Sequence, residues 1–385
     1  MVHPSLLRIA LLLLPIVLAA QEPISFSKSS PEALEATFKQ VTQHSIEAQQ
    51  KKYGVPGVSL LLIENGRISW AKQYGYRQSG KQYRINRETM FSVGSISKVV
   101  SAITALRLVD GGKLDLDEDI NGYLTRWKVP RNKFTEERVA TLRKILSHTA
   151  GFTVHGFADY QPNEPLPDLL EIIHGKHPAK NGPIYINAPI GAQERYSGGG
   201  TTVVQLIIED VMDESFSQIA KELVFDPMQL TRTTFSNPLP QSYSNVAKAH
   251  GPNGRPRALP RGYESMPELA ASGLWTTPSD LAQILLAVVS SYQGNSNEIL
   301  SRELTQEMME PVPPSHYGLG PEIKKTGSSK IMYHGGANDS YRARFEIDLD
   351  QQNGFIIFTN GERGSELIWE FVKAIKQLIR WTAND

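Results

Sequence analysis

Apolar positions change their spacing several times along this chain, and each change marks an element. Ser30-Pro31-Glu32 supplies a cap, an N1 proline and a first-turn acid, and the spacing behind it predicts one amphipathic helix to about Lys52. From Val58 to Ile63 and from Ile68 to Tyr76 the residues form short apolar or β-rich runs instead. Asn65-Gly66 between them tolerates positive φ at both central positions, so a hairpin is expected. Ser95 to Val109 is apolar on nearly every face and stops at Asp110-Gly111-Gly112, which predicts a helix buried inside the molecule.

From about 113 to 270 short helical patterns (Val139 to Leu146, Thr201 to Met212, Phe216 to Val224) alternate with Pro/Gly-rich loops, and Val154 to Tyr196 is particularly loop-like. Thr277-Pro278-Ser279-Asp280 caps a further apolar helix through Val289. Strand patterns return at Tyr317 to Lys325, Lys330 to His334, Arg342 to Asp348 and Phe355 to Thr359, with Asn353-Gly354 in the turn before the last. Ile368, Phe371, Val372, Ile375, Leu378 and Ile379 form one stripe of a closing helix. Strands near both ends with helices between them predict an α+β fold: one antiparallel sheet of about five strands, assembled from the two chain ends, flanked by helices and carrying an inserted, mainly helical lobe. The expected division is 21–94 with 272–385 for the α/β lobe and 95–271 for the helical lobe, within a single domain 21–385.

Composition narrows the function. With 40 Lys+Arg against 40 Asp+Glu and no block of five like charges, the 385-residue chain has no long-range field for nucleic acid or anionic lipid. The absence of Cys removes disulfides, thiolate catalysis, zinc fingers, iron-sulfur ligation and lipid attachment through an N-terminal Cys, so any nucleophile is an oxygen or an amine. Met1 to Arg8 is weakly positive, Ile9 to Ala20 is apolar, and Ala19-Ala20 precede polar Gln21. Residues 1–20 therefore read as a cleaved signal peptide, too short and too interrupted by Pro15 for a stable membrane anchor. A periplasmic or secreted protein is expected.

No GxSxG, HExxH, GxxxxGK[ST] or strand-following GxGxxG occurs, which leaves other nucleophile arrangements. SxxK is one: on a helix, residues three apart share a face, and a desolvated lysine amine can take the serine proton. The pattern occurs three times. Ser25 with Lys28 lies in a polar stretch, and Ser69 with Lys72 lies in a strand that sends them to opposite faces. Ser95 with Lys98 sits at the first turn of the buried helix, where the dipole favours developing negative charge at Ser95 and disfavours an idle lysine. Tyr196, ahead of Ser197 and the run Gly198-Gly199-Gly200, is either a proton relay or a loop tyrosine packing its ring at the surface. His334-Gly335-Gly336-Ala337 ends a strand pattern, where glycines let a ligand approach a strand edge or simply make a turn. His148 reads as a structural residue near the site. His174 and His177 have metal-like spacing but no third ligand nearby, so neither a metal nor a cofactor is expected. Asn338-Asp339-Ser340 fits a glycosylation acceptor.

In order, GSISK, LSHTAG at Leu146 to Gly151, RYSGGG and HGGAN before two strands and a C-terminal helix, this sequence resembles the serine β-lactamase-like family over about residues 31 to 380. That family holds class C β-lactamases, D-Ala-D-Ala carboxypeptidases, D-aminopeptidases and related esterases. The resemblance implies a β-lactamase/transpeptidase-like fold, Ser95 as acylated nucleophile, Lys98 and Tyr196 as the proton-transfer pair, and His334-Gly335-Gly336 as third motif. It also implies an oxyanion hole from the backbone NH groups of Ser95 and Ala337. The literal Lys325-Thr326-Gly327 is set aside as third motif because Thr326 to Ser329 reads as a turn between strands. Gly198 stands at the substrate-binding position where the family commonly has Asn, and it cannot supply a side-chain amide. The implied activity is an extracytoplasmic acyl-enzyme hydrolase of small or peptide-like esters or amides, leaning to esterase or peptidase. The alternatives are a true β-lactamase or D,D-peptidase, and a non-catalytic domain that binds penicilloyl groups or cell-wall fragments.

Overall fold

The computed structural model describes residues 29–379 except 162 and 328; the stretch 1–20 read as a signal peptide and the Ser25/Lys28 pair lie outside the described residues. Helices α1 (Pro31–Thr42) and α2 (Ile46–Tyr53) stand where one helix is expected. Gln43 takes φ 60° and Ser45 opens a second helix, its hydroxyl accepting from the Ala48 amide. Leu34, Phe38, Ile46 and Tyr53 keep helical spacing across this break, so periodicity does not register it. Strands β1 (Gly57–Glu64) and β2 (Arg67–Gly75) form the expected hairpin, with Asn65 and Gly66 both at positive φ and Glu64 paired with Arg67.

After β3 (Phe91–Ser92), α3 (Ile96–Asp110) crosses the interior with only three of its residues not buried. The short helices α4 (Leu142–Leu146) and α5 (Leu169–His174) precede α6 (Gly198–Met212). Next comes α7 (Phe216–Ala220), extended by a π turn over Lys221–Phe225. Helix α8 (Leu269–Ser272), β4 (Trp275–Thr276), α9 (Pro278–Gln293) and α10 (Arg302–Met308) follow. The chain closes with β5 (Glu322–Thr326), β6 (Ser329–Asn338), β7 (Tyr341–Asp348), β8 (Asn353–Thr359) and α11 (Gly364–Leu378).

The main sheet has six strands, one more than expected, in the order β2-β1-β8-β7-β6-β5. Pairing of β1 with β8 joins the N-terminal hairpin to the C-terminal strands, so the two ends do build one antiparallel sheet. Both faces of β1 are covered, which is why its apolar run does not alternate. Leu60 and Leu62 join Phe38 and Phe371 under α1, α2 and α11, while Leu61 and Ile63 face the large core around α3 and α9. Phe91–Ser92 pairs with Trp275–Thr276 in a second, two-stranded ladder that no sequence period announces.

Candidate active site

Of the SxxK pairs within the described residues, Ser95 with Lys98 meets. Lys98 is buried, and its Nζ lies 3.1 Å from Ser95 Oγ and donates to the Ala271 carbonyl at 2.8 Å. One carbonyl from α8 thus aims the amine at the hydroxyl. Ser69 instead bonds Glu64, and Lys72 lies 3.9 Å from Glu35. The Tyr196 ring is held 4.9 Å from Lys98 Nζ, measured to the ring centroid, and packs against His148 at 4.4 Å and His155 at 4.9 Å. Ser197 caps α6 by accepting from the Gly200 amide, and this fixes the residue before it. Gly198, Gly199 and Gly200 lie inside that helix, one turn earlier than the expected start at Thr201.

Gly198 is buried, and a Cβ there would lie 2.9 Å from the Phe157 ring. It is not among the residues lining the cleft that contains Ser95. His148 occupies the left-handed region at φ 58°, is buried, and accepts the Ser197 amide on Nδ1 at 3.2 Å. Burial first, then the charges of Lys98 and other imidazoles, push its pKa well down, so the ring is neutral.

The third motif lies within β6, which continues to Asn338 rather than ending at His334. Strand β5 pairs only with Ser329 to Tyr333. The edge of β6 from His334 onward is thereby left to the cleft. A Cβ on Gly336 would fall 1.8 Å from the Val93 carbonyl, and one on Gly94 would fall 2.4 Å from the Ala337 amide nitrogen. These two contacts bring the loop before Ser95 against the backbone of Ala337. Gly335, by contrast, has open space, its nearest neighbour being 4.0 Å from a built Cβ. His334 Nδ1 lies 2.6 Å from the Gly335 carbonyl while its Nε2 is buried and unpartnered. Burial lowers its pKa to about 3, with Lys98 and Arg344 adding to the effect. A neutral ring donating through Nδ1 leaves Nε2 as an acceptor.

The cleft holds about 470 Å³ and runs from Ser95 past His334 and Gly335 to Arg344 and Trp369. Tyr317 and Glu322, which sequence reasoning missed, form another part of its wall. Tyr317 meets His148 edge-on at 4.7 Å, and burial with the Glu322 charge pushes its phenol upward. A roomier groove of about 630 Å³ shares none of these residues and has no Ser, Lys or His in its wall. His174 and His177 are exposed, and among the described residues no group of three or more His, Cys, Asp or Glu could hold a metal ion. Asn338 is buried and donates to Ser92 Oγ and the Ser272 carbonyl, so its amide is a brace between elements, unavailable to a glycan.

"Protein flp" of Staphylococcus aureus (strain MW2) is 23% identical over 336 residues, 82% of this chain and 61% of that protein. "Teichoic acid D-alanine hydrolase" of Staphylococcus aureus is 24% identical over 273 residues, 70% of this chain and 62% of that one. This chain therefore spans about three fifths of the curated relatives it matches. The structure of D-amino acid amidase from Ochrobactrum anthropi SV3 complexed with L-phenylalanine superposes with a TM-score of 0.68 at 20% identity, over 89% of this chain and 98% of that one. The family model described as Beta-lactamase matches residues 42–370, and the chain belongs to this family of serine hydrolases.

Proposed function

We propose that this protein hydrolyses esters or amides through an acyl-enzyme on Ser95, outside the cytoplasm. The observation that carries the reading is the buried Lys98 ammonium site, aimed by the Ala271 carbonyl at Ser95 Oγ 3.1 Å away. In the neutral-amine form, Lys98 accepts the hydroxyl proton as Oγ bonds to the substrate carbonyl carbon. Negative charge on the carbonyl oxygen is met by the amides of Ser95 and Ala337. The bond to the leaving alcohol or amine then breaks, and that group departs with a proton passed through Lys98 and Tyr196. Water attacks the acyl-enzyme, gives its proton back along the same pair, and releases the acid with Ser95 restored.

One feature favours simple esters and amides over penicillins: the neutral His334 in the cleft wall carries no charge to attract a substrate carboxylate. The test is initial rates on short-chain activated esters, amino-acid amides and penicillins, for wild type and Ser95→Ala. Ester or amide turnover abolished by Ser95→Ala supports the reading. Equal turnover in the variant would refute it, and efficient penicillin hydrolysis would overturn the substrate preference.

A further inference from the structure

A second cleft, sharing no lining residue with the one around Ser95, holds about 390 Å³ between the segments 243–248 and 256–263. Lys248, Arg257, Arg261, Tyr243 and Tyr263 line it, and no Asp or Glu does. Arg257 is neutralised by Glu362 at 2.8 Å and Glu264 at 3.3 Å. Lys248 and Arg261 are not. Lys248 Nζ donates to the Arg261 carbonyl at 2.6 Å, and Arg261 donates to the carbonyls of Leu239 and Pro240. Arg77, whose carbonyl receives the Lys248 amide at 2.8 Å, donates from its own guanidinium to the Ser244 carbonyl. None of these three cations makes an ion pair with a described residue. Backbone carbonyls satisfy donors but leave the local positive charge standing.

A polar group in the cleft wall also lacks a partner. Tyr263, 5% exposed, has Lys248 Nζ and the Arg261 guanidinium each 5.0 Å from its ring centroid, and its buried hydroxyl has no hydrogen-bond partner. Its ring packs against Trp275 at 5.1 Å. Burial and the neighbouring Arg261 and Arg77 charges lower the Lys248 pKa, as expected where like charges crowd without a counter-ion.

We propose that this cleft is a binding site for a phosphate group, with Lys248 and Arg261 supplying charge and the Tyr263 hydroxyl a neutral donor. A phosphate monoester carries close to two negative charges near neutral pH and offers several acceptor oxygens, matching two unneutralised cations and an idle hydroxyl. Such a group occurs on soluble phosphate esters and on lipid headgroups.

The test is isothermal titration of the full chain with glycerol phosphate at low ionic strength, with acetate as control. Wild type and Ser95→Ala are expected to bind one phosphate saturably and alike. Lys248→Gln is expected to bind about tenfold or more weakly while keeping wild-type ester turnover, and Tyr263→Phe to bind several-fold more weakly. If Lys248→Gln melts early, Tyr263→Phe, which keeps the ring, carries the test. Absence of saturable binding, or equal binding by both variants, overturns the site. Co-sedimentation with phosphatidic acid vesicles, whose headgroup is also a phosphate monoester, separates the sources: vesicle binding that soluble glycerol phosphate competes away extends the site to lipid headgroups. Vesicle binding without any binding of soluble phosphate contradicts a discrete site.

Discussion

Lys98 has its ammonium group in a buried place where a structural lysine would be costly, and two contacts hold it there, Ser95 Oγ and the Ala271 carbonyl. Tyr196 packs its ring against His148 and His155. Tyr196→Phe is therefore expected to keep the fold and melting temperature while lowering kcat by about 10²- to 10⁴-fold, the range for loss of one acid-base group; stopped assays and a thermal melt check both halves. His334 supplies a pH signature. Its folded pKa of about 3 lies below the ordinary imidazole value of 6.5, so the unfolded chain binds more protons between these values. Stability from this residue is complete above pH 6.5 and is lost as pH falls towards 3. His334→Asn is expected to flatten the acid limb of a stability-against-pH curve by up to about 1.4 kcal/mol per pH unit. The meeting of Ser95 with Lys98 was legible because chemistry and helix position coincide there, whereas Tyr196 entered only through the family resemblance, its own motif being equally compatible with a surface-packed ring. Tyr317, Glu322, Arg344 and Trp369 were not legible, since no local pattern marks residues that meet only when distant segments pack.

At the scale of elements, the approach of β6 to the start of α3 sets the geometry of the site. Gly336 is what permits it, with the Val93 carbonyl occupying the place of a side chain. Gly336→Ala is expected to cost about 1–3 kcal/mol by overpacking and to remove most turnover by shifting Ala337 away from Ser95. Gly335→Ala faces open space, so its stability should stay near wild type and any effect should fall on KM. Paired melts and steady-state kinetics separate the two glycines. The hairpin around Asn65-Gly66 and the buried helix after Ser95 were readable because turn chemistry and hydrophobic period decide them locally. The break at Gln43 and the β3–β4 ladder were not, because one conserves the apolar spacing and the other rests on two residues per strand brought together across the chain.

For the whole molecule, α8 ties the sheet, α3 and α6 together: its carbonyls receive Ser101, Lys98 and Asn338, and its Ala270 amide donates to Gln205. Glu268 precedes this helix fully buried, with neither carboxyl oxygen hydrogen-bonded, and burial raises its pKa to about 8. The folded chain then holds a proton between pH 4.5 and about 8 that the unfolded chain gives up, so stability from this residue falls as pH rises through that window. Glu268→Gln is expected to raise the melting temperature relative to wild type at alkaline pH and to narrow the difference below pH 4.5. The joining of both chain ends into one sheet was foreseeable from where the strand patterns lie, whereas the convergence on α8 depends on a four-residue helix with no period of its own. The central claim, that Ser95 carries a transient acyl group, is tested most directly by time-resolved intact mass during incubation with an activated short-chain ester. The account predicts an acyl adduct that forms and decays on wild type and never forms on Ser95→Ala. An adduct of the same kind on the variant, or turnover by wild type with no adduct on Ser95 even under rapid quenching, would contradict it.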